Sequence, residues 1–267
     1  MLKDITLGQY FPADTFVHRL DPRTKLLALV FLIVCIFTAK GALSMGLVVL
    51  ILALCVGISR IRPSALFKGL KPLIFVICLT AIMNLFFSPG TLLVQWWIFR
   101  ITREGLERAV LMVLRILLLV SGTFLLPYTT SPLPLTAGLE RLMPPRKKLR
   151  FPVHELAMMM SIALRFIPTL IEETDKIMSA QKARGADFET GSLMQRAKAL
   201  LPILVPLFVS AFRRADELAT AMECRCYHGG EGRTRMKVMV MGSRDWAVLA
   251  FWVLLTAAIL TLSRMGL

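Results

Sequence analysis

Two arginines with small neighbours occupy corresponding places in two matching stretches of the sequence. The stretch from Asp175 to Gly185 and the stretch from Asp216 to Cys226 share Asp, Ala and Arg at one offset of 41 residues. Each stretch falls near the end of a long predicted helix, where a cation complements the helix dipole by about 0.3–1 kcal/mol. Capping alone accounts for one such arginine, but two in matched contexts favour a paired docking device.

The chemistry of such a device is recognition. Small side chains let a partner surface approach closely, and a guanidinium is a planar fork that binds a carboxylate or carbonyl through two hydrogen bonds. A twofold arrangement also indicates two similar receptors. The candidate site residues are the two arginines and their neighbours: Ala183, Arg184, Gly185, Cys224, Arg225 and Cys226.

Catalytic and metal-binding interpretations have little support in the sequence. Cys224, Cys226 and His228 suggest a metal site, but on a helix Cys226 points away from the other two. A structural zinc site needs four ligands, and no fourth His or Cys follows nearby. The acidic cluster at 172–175 fits a solvated helix face, and no Gly-rich phosphate loop of the Walker type occurs. We therefore predict no catalytic residues and no directly bound cofactor or metal.

The composition indicates a membrane protein. Hydrophobic residues make up 56% of the 267 residues and charged residues 18%, against roughly 45–50% and about 25% in soluble domains. The net charge of +15 would suggest nucleic-acid binding in a soluble chain. Here the basic residues flank apolar runs, so they report orientation in a membrane instead.

Five apolar runs predict transmembrane helices of the usual length. The first starts at Asp21-Pro22, where Asp suits the N-cap and Pro the first helical position. The loop 59–71 carries four cations and no acid, so it should be cytoplasmic. We expect a cytoplasmic N-terminus and an external C-terminus. The predicted spans are 26–39, 42–58, 72–87, 109–128 and 246–262.

The region between the fourth and fifth spans is too long and too charged for a loop. We divide the chain into 1–128 (N-terminal tail and four spans), 129–245 (a cytoplasmic insertion with both arginine motifs) and 246–267 (the last span). The insertion shows helical periodicity and no strand alternation. The predicted fold class is therefore an all-α membrane protein with about five transmembrane helices and a cytoplasmic module of three helices.

Two of the three inserted helices should be long. They are predicted at about 153–186, with a kink at Pro168, and at about 193–227, ended by Gly229-Gly230. A shorter helix is predicted near 135–142. The long helices are more apolar than their mutual packing requires, and two further spans near 156–171 and 200–212 remain an alternative. Pro202 and Pro206 should bend the second long helix.

Two polar residues fall inside the predicted spans, where such groups are costly and often functional. Arg115 could snorkel to the external surface, or it could pair with Glu107 or a neighbouring helix. Asn84 is the other. Neither needs to touch a transported molecule.

Several segments, in the same order, look like the T-component family of energy-coupling factor transporters. The likeness covers nearly the whole chain, which makes it more specific than any single motif. The segments are Gly8-Gln9-Tyr10, His18 to Lys25, Thr129-Thr130, Arg165 to Pro168, Ala180 to Gly185 and Arg225 to Tyr227.

This resemblance implies a non-catalytic scaffold in an ABC-type importer of the bacterial cell membrane. Two Ala-Arg-Gly-like motifs of the family dock into two cytoplasmic ATPase subunits, which bind ATP and Mg. They map onto Ala183-Arg184-Gly185 and Cys224-Arg225-Cys226. The second motif has Cys on both sides, so we expect the helix ending that Gly supplies to move towards Gly229-Gly230.

The resemblance also implies a membrane-embedded substrate-binding S component as a partner, supported by the coupling helices. ATP-driven motion would reach the S component through the long helices, for uptake of vitamins or other micronutrients. Nucleic acid is not an expected partner. A self-sufficient carrier would need polar residues in several spans, and a membrane-embedded enzyme would need convergent acids or histidines; these two remain the alternatives.

Overall fold

The computed structural model describes residues 10–87, 91–96, 99–142, 153–188, 190, 192–229 and 238–265. Within these residues the regular secondary structure is helical apart from one two-stranded hairpin. A 3-10 turn, Lys71–Leu73, links two of the helices. The elements are α1 Phe16–Arg19, α2 Pro22–Thr38, α3 Ala42–Ser59, α4 Pro63–Leu70, α5 Ile74–Phe87, β1 Leu92–Trp96, β2 Phe99–Thr102, α6 Arg103–Thr129, α7 Pro132–Leu142, α8 Val153–Ala183, α9 Leu193–Cys224 and α10 Ser243–Arg264.

The chain divides into two compact units. The bundle unit comprises Gly8–Leu142 and Met239–Leu267, and it contains α1 to α7, the hairpin and α10. The helix-pair unit lies in the stretch between the two parts of the bundle unit, and its described residues contain α8 and α9. The sequence pattern grouped α7 with the long helices, but α7 packs against α2 instead. A Cβ built on Gly138 of α7 would lie 3.0 Å from Pro22 Cβ.

Six helices of the described residues are long and apolar enough to cross a membrane. Four of them contain predicted spans and are α3, α4–α5, α6 and α10. The other two are α8 and α9, which carry the segments left open as additional spans. The remaining predicted span is α2, which is shorter, at 17 residues. The all-α membrane fold is thus confirmed.

Helix α2 lies at the centre of the bundle unit. The Asp21 carboxylate accepts a hydrogen bond from the Arg23 backbone N–H at 2.9 Å, and Pro22 occupies the first helical position, as the sequence predicts. The side chains of α2 pack against α3, α6 and α10. The buried core is Leu32, Cys35, Ile36, Ala39, Met45, Val48, Ile51, Leu52, Leu118, Trp252, Leu255 and Ile259.

A buried lysine ties the first turn of α2 to the end of α6. The Lys25 side chain is 7% exposed, and its Nζ donates to the Thr129 carbonyl at 3.0 Å, the Thr130 Oγ1 at 3.0 Å and the His18 carbonyl at 3.1 Å. All three ammonium protons therefore have acceptors, which is what makes burial of this cation tolerable. Thr129 and Thr130, at the end of α6, thus supply two of the three acceptors.

A second polar contact ties the same turn to α10. The Asp21 backbone N–H donates to Asp245 Oδ1 at 2.9 Å, and both residues are buried. The Met239 carbonyl, just before α10, accepts from Arg23 and from Arg141 of α7, each at 3.0 Å. The start of α2 is thus the point where five helices meet: α1, α2, α6, α7 and α10.

Arg115 is a structural cap. Its Nη2 donates to the Ala39 carbonyl at 2.9 Å, and Ala39 is the C-cap of α2. The arginine on α6 therefore completes a helix end on its neighbour, where a cation is electrostatically favourable. Asn84 bonds within its own helix, donating to the Thr80 carbonyl at 2.9 Å.

The hairpin β1–β2 was missed by the sequence pattern. Its antiparallel register pairs Gln95 with Arg100 and Trp96 with Phe99. It leads directly into α6, whose N-cap Thr102 accepts a hydrogen bond from the Gly105 N–H at 3.1 Å.

Candidate docking site

Helices α8 and α9 run antiparallel. Near the end of α8, Gln181 Nε2 donates to the Pro202 carbonyl early in α9 at 3.4 Å. Earlier in α8, Ile162 and Phe166 line a cavity with Leu218 and Met222, which come late in α9. Contacts that run in opposite order along the two helices define an antiparallel pair. The carboxyl ends of α8 and α9 therefore point in opposite directions.

A polar contact joins the two helices between these points. The Glu173 carboxylate on α8 accepts from Ser210 Oγ at 2.8 Å and from the Arg214 guanidinium, both on α9. The side chains are partly exposed, at 24% for Glu173 and 36% for Arg214. The acidic cluster interpreted as a solvated face thus has one member that bridges the helices.

Helix α8 ends in a Schellman motif around Arg184. The Gly185 N–H donates to the Lys182 carbonyl and the Ala186 N–H donates to the Gln181 carbonyl, each at 3.0 Å. Gly185 has φ of 86°, in the left-handed region that glycine adopts readily. Arg184 is therefore the C-cap, held by a defined backbone turn.

Helix α9 ends in the same motif around Arg225. The Cys226 N–H donates to the Glu223 carbonyl at 2.8 Å, and the Tyr227 N–H donates to the Met222 carbonyl at 3.0 Å. Cys226 takes the left-handed conformation with φ of 56°. The expectation that this ending moves towards Gly229-Gly230 is wrong, because the cysteine itself occupies the position that glycine fills in α8.

The six candidate residues are all exposed. Within the described part of the chain, the guanidinium groups of Arg184 and Arg225 have no ion pair and no side-chain hydrogen bond. Each arginine therefore lies at a hydrogen-bonded helix end with its guanidinium donors available. Ala183 and Cys224 close the last helical turns, so the small neighbours leave the backbone accessible on that side.

The two residues of the ion pair between the helices are separated by the same number of residues as the two motif arginines. Glu173 and Arg214 are 41 residues apart, as are Arg184 and Arg225. Each motif arginine follows its member of the ion pair by eleven residues, or about 16 Å along a helix axis. Because the helices are antiparallel, the two arginines lie in opposite directions from the ion pair.

One face of α9 is apolar and exposed. Its members follow one another at alternating spacings of one and three residues, which places them on one side of a helix. Among the described residues of α8 and α9, only Ile203 is a buried hydrophobic side chain. The excess of apolar side chains predicted for this pair is therefore confirmed. The exposed face consists of Leu200, Leu201, Leu204, Val205, Phe208, Val209 and Phe212.

The residues that suggested metal binding do not share a helix face. Helix α9 ends at Cys224, so Cys226 and His228 lie in the segment after it. Across the described residues, no three His, Cys, Asp or Glu are grouped so that they could hold a metal ion.

Fold and site together define a multi-pass membrane protein with a separate helix pair that presents two cationic, identically capped ends. Comparison with known proteins makes the assignment specific. The family model described as cobalt transport protein, CbiQ, matches residues 13–237.

Curated relatives match almost from end to end. The chain is 52% identical over 259 residues to "Energy-coupling factor transporter transmembrane protein EcfT" of Acidaminococcus fermentans, covering 96% of this chain and 97% of the relative. The proteins of that name are 51% identical in Clostridium kluyveri (98% of each chain) and 47% identical in Bacillus subtilis (96% and 97%). The chain belongs to this family of energy-coupling factor transporter transmembrane proteins.

Proposed function

We propose that this protein is the transmembrane coupling subunit, or T component, of an ATP-driven importer, and that its two arginine-capped helix ends each dock into one of two ATPase subunits. The observation that carries the proposal is the pair of matching Schellman caps at opposite ends of one antiparallel helix pair. Two equal ends pointing apart suit two equal receptors.

Docking would use the available guanidinium donors. A receptor groove with a carboxylate or backbone carbonyls would bind the planar fork of Arg184 or Arg225 through two hydrogen bonds. The small residues beside each arginine would let the groove close over the helix end. Desolvation would make each contact strong, since truncating one side of a buried charged pair typically costs about 2–5 kcal/mol.

The apolar face of α9 supports a second contact. Seven large side chains exposed on one helix face form a surface that favours burial against another apolar surface. We assign it to a membrane-embedded S component that binds the substrate. Movement of the ATPase pair would shift the helix ends, and the ion-paired helices would transmit that shift to the S component.

The remaining parts of the proposal assign nucleotide binding, substrate binding and orientation in the membrane. ATP and Mg would be bound by the ATPase subunits, and the substrate, a vitamin or another micronutrient, by the S component. The helix pair would lie on the cytoplasmic side of the bacterial cell membrane, with the N-terminus cytoplasmic and the C-terminus external. Charged residues along α8 and α9 favour this placement over two further spans.

The test is co-purification from cells that express all subunits. Replacement Arg184→Glu together with Arg225→Glu should abolish recovery of the ATPase subunits while the S component and the membrane fraction are unaffected. The matched control is Arg196→Glu with Arg213→Glu, which changes the charge equally at two exposed arginines on α9. ATPase recovery from the docking variant equal to that from the control would reject the proposal.

A further inference from the structure

A cluster of exposed cations surrounds helix α4 and has no role in the docking site. Residues 59–71 contain no acid. The four cations are exposed, and within the described residues none has an ion pair or a side-chain hydrogen bond. The basic cluster consists of Arg60, Arg62, Lys68 and Lys71.

One side of α4 is packed firmly against α6. A Cβ built on Gly69 would lie 2.6 Å from the Phe124 ring, so this glycine permits close approach. The Ala65 carbonyl accepts a hydrogen bond from the Tyr128 hydroxyl at 3.3 Å, and Leu70 is buried. The position of the basic cluster is therefore fixed by the bundle.

The other side of α4 combines charge with an exposed aromatic ring. Phe67 is 71% exposed and precedes Lys68. The 3-10 turn that begins at Lys71 leads into α5, where Phe75 is 75% exposed. Short basic helices with an exposed aromatic residue, next to a membrane span, lie in the interface between headgroups and acyl chains.

We propose that the basic cluster binds the headgroups of anionic phospholipids in the cytoplasmic leaflet, with the Phe67 ring inserted among the acyl chains. Clusters of four to eight Lys and Arg directly beside a membrane helix attract anionic headgroups. An acidic protein surface would match the charge, but it would give Phe67 no apolar surroundings at the depth where α5 enters the bilayer. The proposal rests on the orientation proposed above.

The first test measures the lipids that remain bound after purification from membranes of phosphatidylethanolamine and phosphatidylglycerol. Native mass spectrometry should show at least a threefold lower phosphatidylglycerol to phosphatidylethanolamine ratio when all four cations are replaced by Gln. An unchanged ratio would overturn the lipid site. Loss of a bound protein instead of lipid would assign the cluster to an acidic partner and overturn it as well.

The control replaces four exposed cations of the helix pair. Substitution of these residues by Gln removes the same charge and should leave the lipid ratio unchanged; an equal fall in both variants would mean that only net charge matters. They are Lys176, Arg196, Lys198 and Arg213.

A second measurement uses a single substitution and does not require the fourfold variant to fold. Phe67→Trp, in a chain whose four tryptophans are replaced by Phe, should be quenched more strongly by brominated phosphatidylglycerol than by brominated phosphatidylcholine. Equal quenching by the two lipids would contradict headgroup selection, and no quenching would contradict insertion of the ring.

Orientation is tested separately at Ser64, which is exposed beside the cluster. A membrane-impermeant maleimide should label Ser64→Cys, in a chain without other cysteines, in inside-out vesicles and not in intact cells. Labelling in intact cells would overturn the proposed orientation. Correct labelling with an unchanged lipid ratio would overturn the lipid site alone.

Discussion

Glu173 and Arg214 meet across α8 and α9 at the same 41-residue offset that separates Arg184 from Arg225. The repeated sequence therefore has a structural counterpart, in which the two halves of the pair contact each other at equivalent positions. The ion pair lies eleven residues before each motif arginine, so the two cationic ends are equally far from it along the helix pair.

We expect charge reversal at this ion pair to be rescued by the reciprocal change. Glu173→Arg alone or Arg214→Glu alone should lower the stability of the helix pair modestly, because each change replaces a partly exposed ion pair with two like charges. The double variant should recover most of the loss. Thermal unfolding of the purified protein measures stability, and substrate uptake by the complete transporter measures transmission.

Adjacent residues provide the control for this exchange. Glu172 and Arg213 are exposed and also 41 residues apart, yet no ion pair joins them. Reversing both should give purely additive effects. An interaction energy as large as that of the Glu173–Arg214 pair would show that long-range charge, and not contact, is responsible.

The two helix endings should respond in opposite ways to changes at their left-handed residue. Gly185→Ala should destabilise the end of α8 by about 1 kcal/mol, because a Cβ is unfavourable at this backbone conformation. Cys226→Gly should be tolerated or stabilising, and Cys226→Val should weaken the turn, since β-branched residues are poorly suited to positive φ. ATPase co-purification should follow the same order. Weaker co-purification of Cys226→Gly than of Cys226→Val would contradict this order and show that side-chain bulk at position 226, and not the backbone conformation, decides docking.

Replacing Lys25 by Met should destabilise the bundle unit by about 2 kcal/mol, because it removes three hydrogen bonds and leaves buried acceptors unpaired. The midpoint of thermal unfolding should fall by roughly 4–8 °C. Lys40→Met, at an exposed position after α2, is the matched control and should shift it little. A midpoint for Lys25→Met within 1 °C of the control would mean that the ammonium group is dispensable.

Arg115→Met tests the cap on α2. Loss of the bond to the Ala39 carbonyl should cost about 1–2 kcal/mol, because a charged donor at a helix end is removed from a buried acceptor. Arg108→Met, at an exposed site on the same helix, should cost less than half of this in the same unfolding measurement. A larger loss of stability for Arg108→Met than for Arg115→Met would contradict the capping role of Arg115.

Preferences of single residues for helix ends predicted the start of α2 correctly but not the end of α9. The Asp21-Pro22 start of α2 was predictable because cap and proline preferences depend on neighbouring residues alone. The ending of α9 was not, because Cys226 occupies a left-handed position that statistics reserve for glycine. Gly229 also has positive φ, at 98°, but it lies beyond the helix.

Contacts between distant parts of the chain were the least accessible to sequence reasoning. Lys25 stood in a recognisable motif, yet nothing local indicated that the Thr129 carbonyl would accept a hydrogen bond from its ammonium group. The same holds for Glu173, whose acidic neighbours suggested only a solvated face. The arginine motifs were found because repetition within one chain is visible without knowing what the repeats contact.

The antiparallel helix pair makes the distance between its two docking ends a matter of residue count. Each inserted residue between Glu173 and Arg184 would advance the arginine by about 1.5 Å and turn it by roughly 100° around the axis. Only additions or deletions close to a whole number of helical turns, such as about seven, eleven or eighteen residues, would keep the arginine on its original side. The length of these two helices therefore sets the distance between the docking ends. Among related proteins, we expect insertions and deletions within α8 and α9 to be restricted to such lengths, whereas ordinary loops tolerate any number of residues.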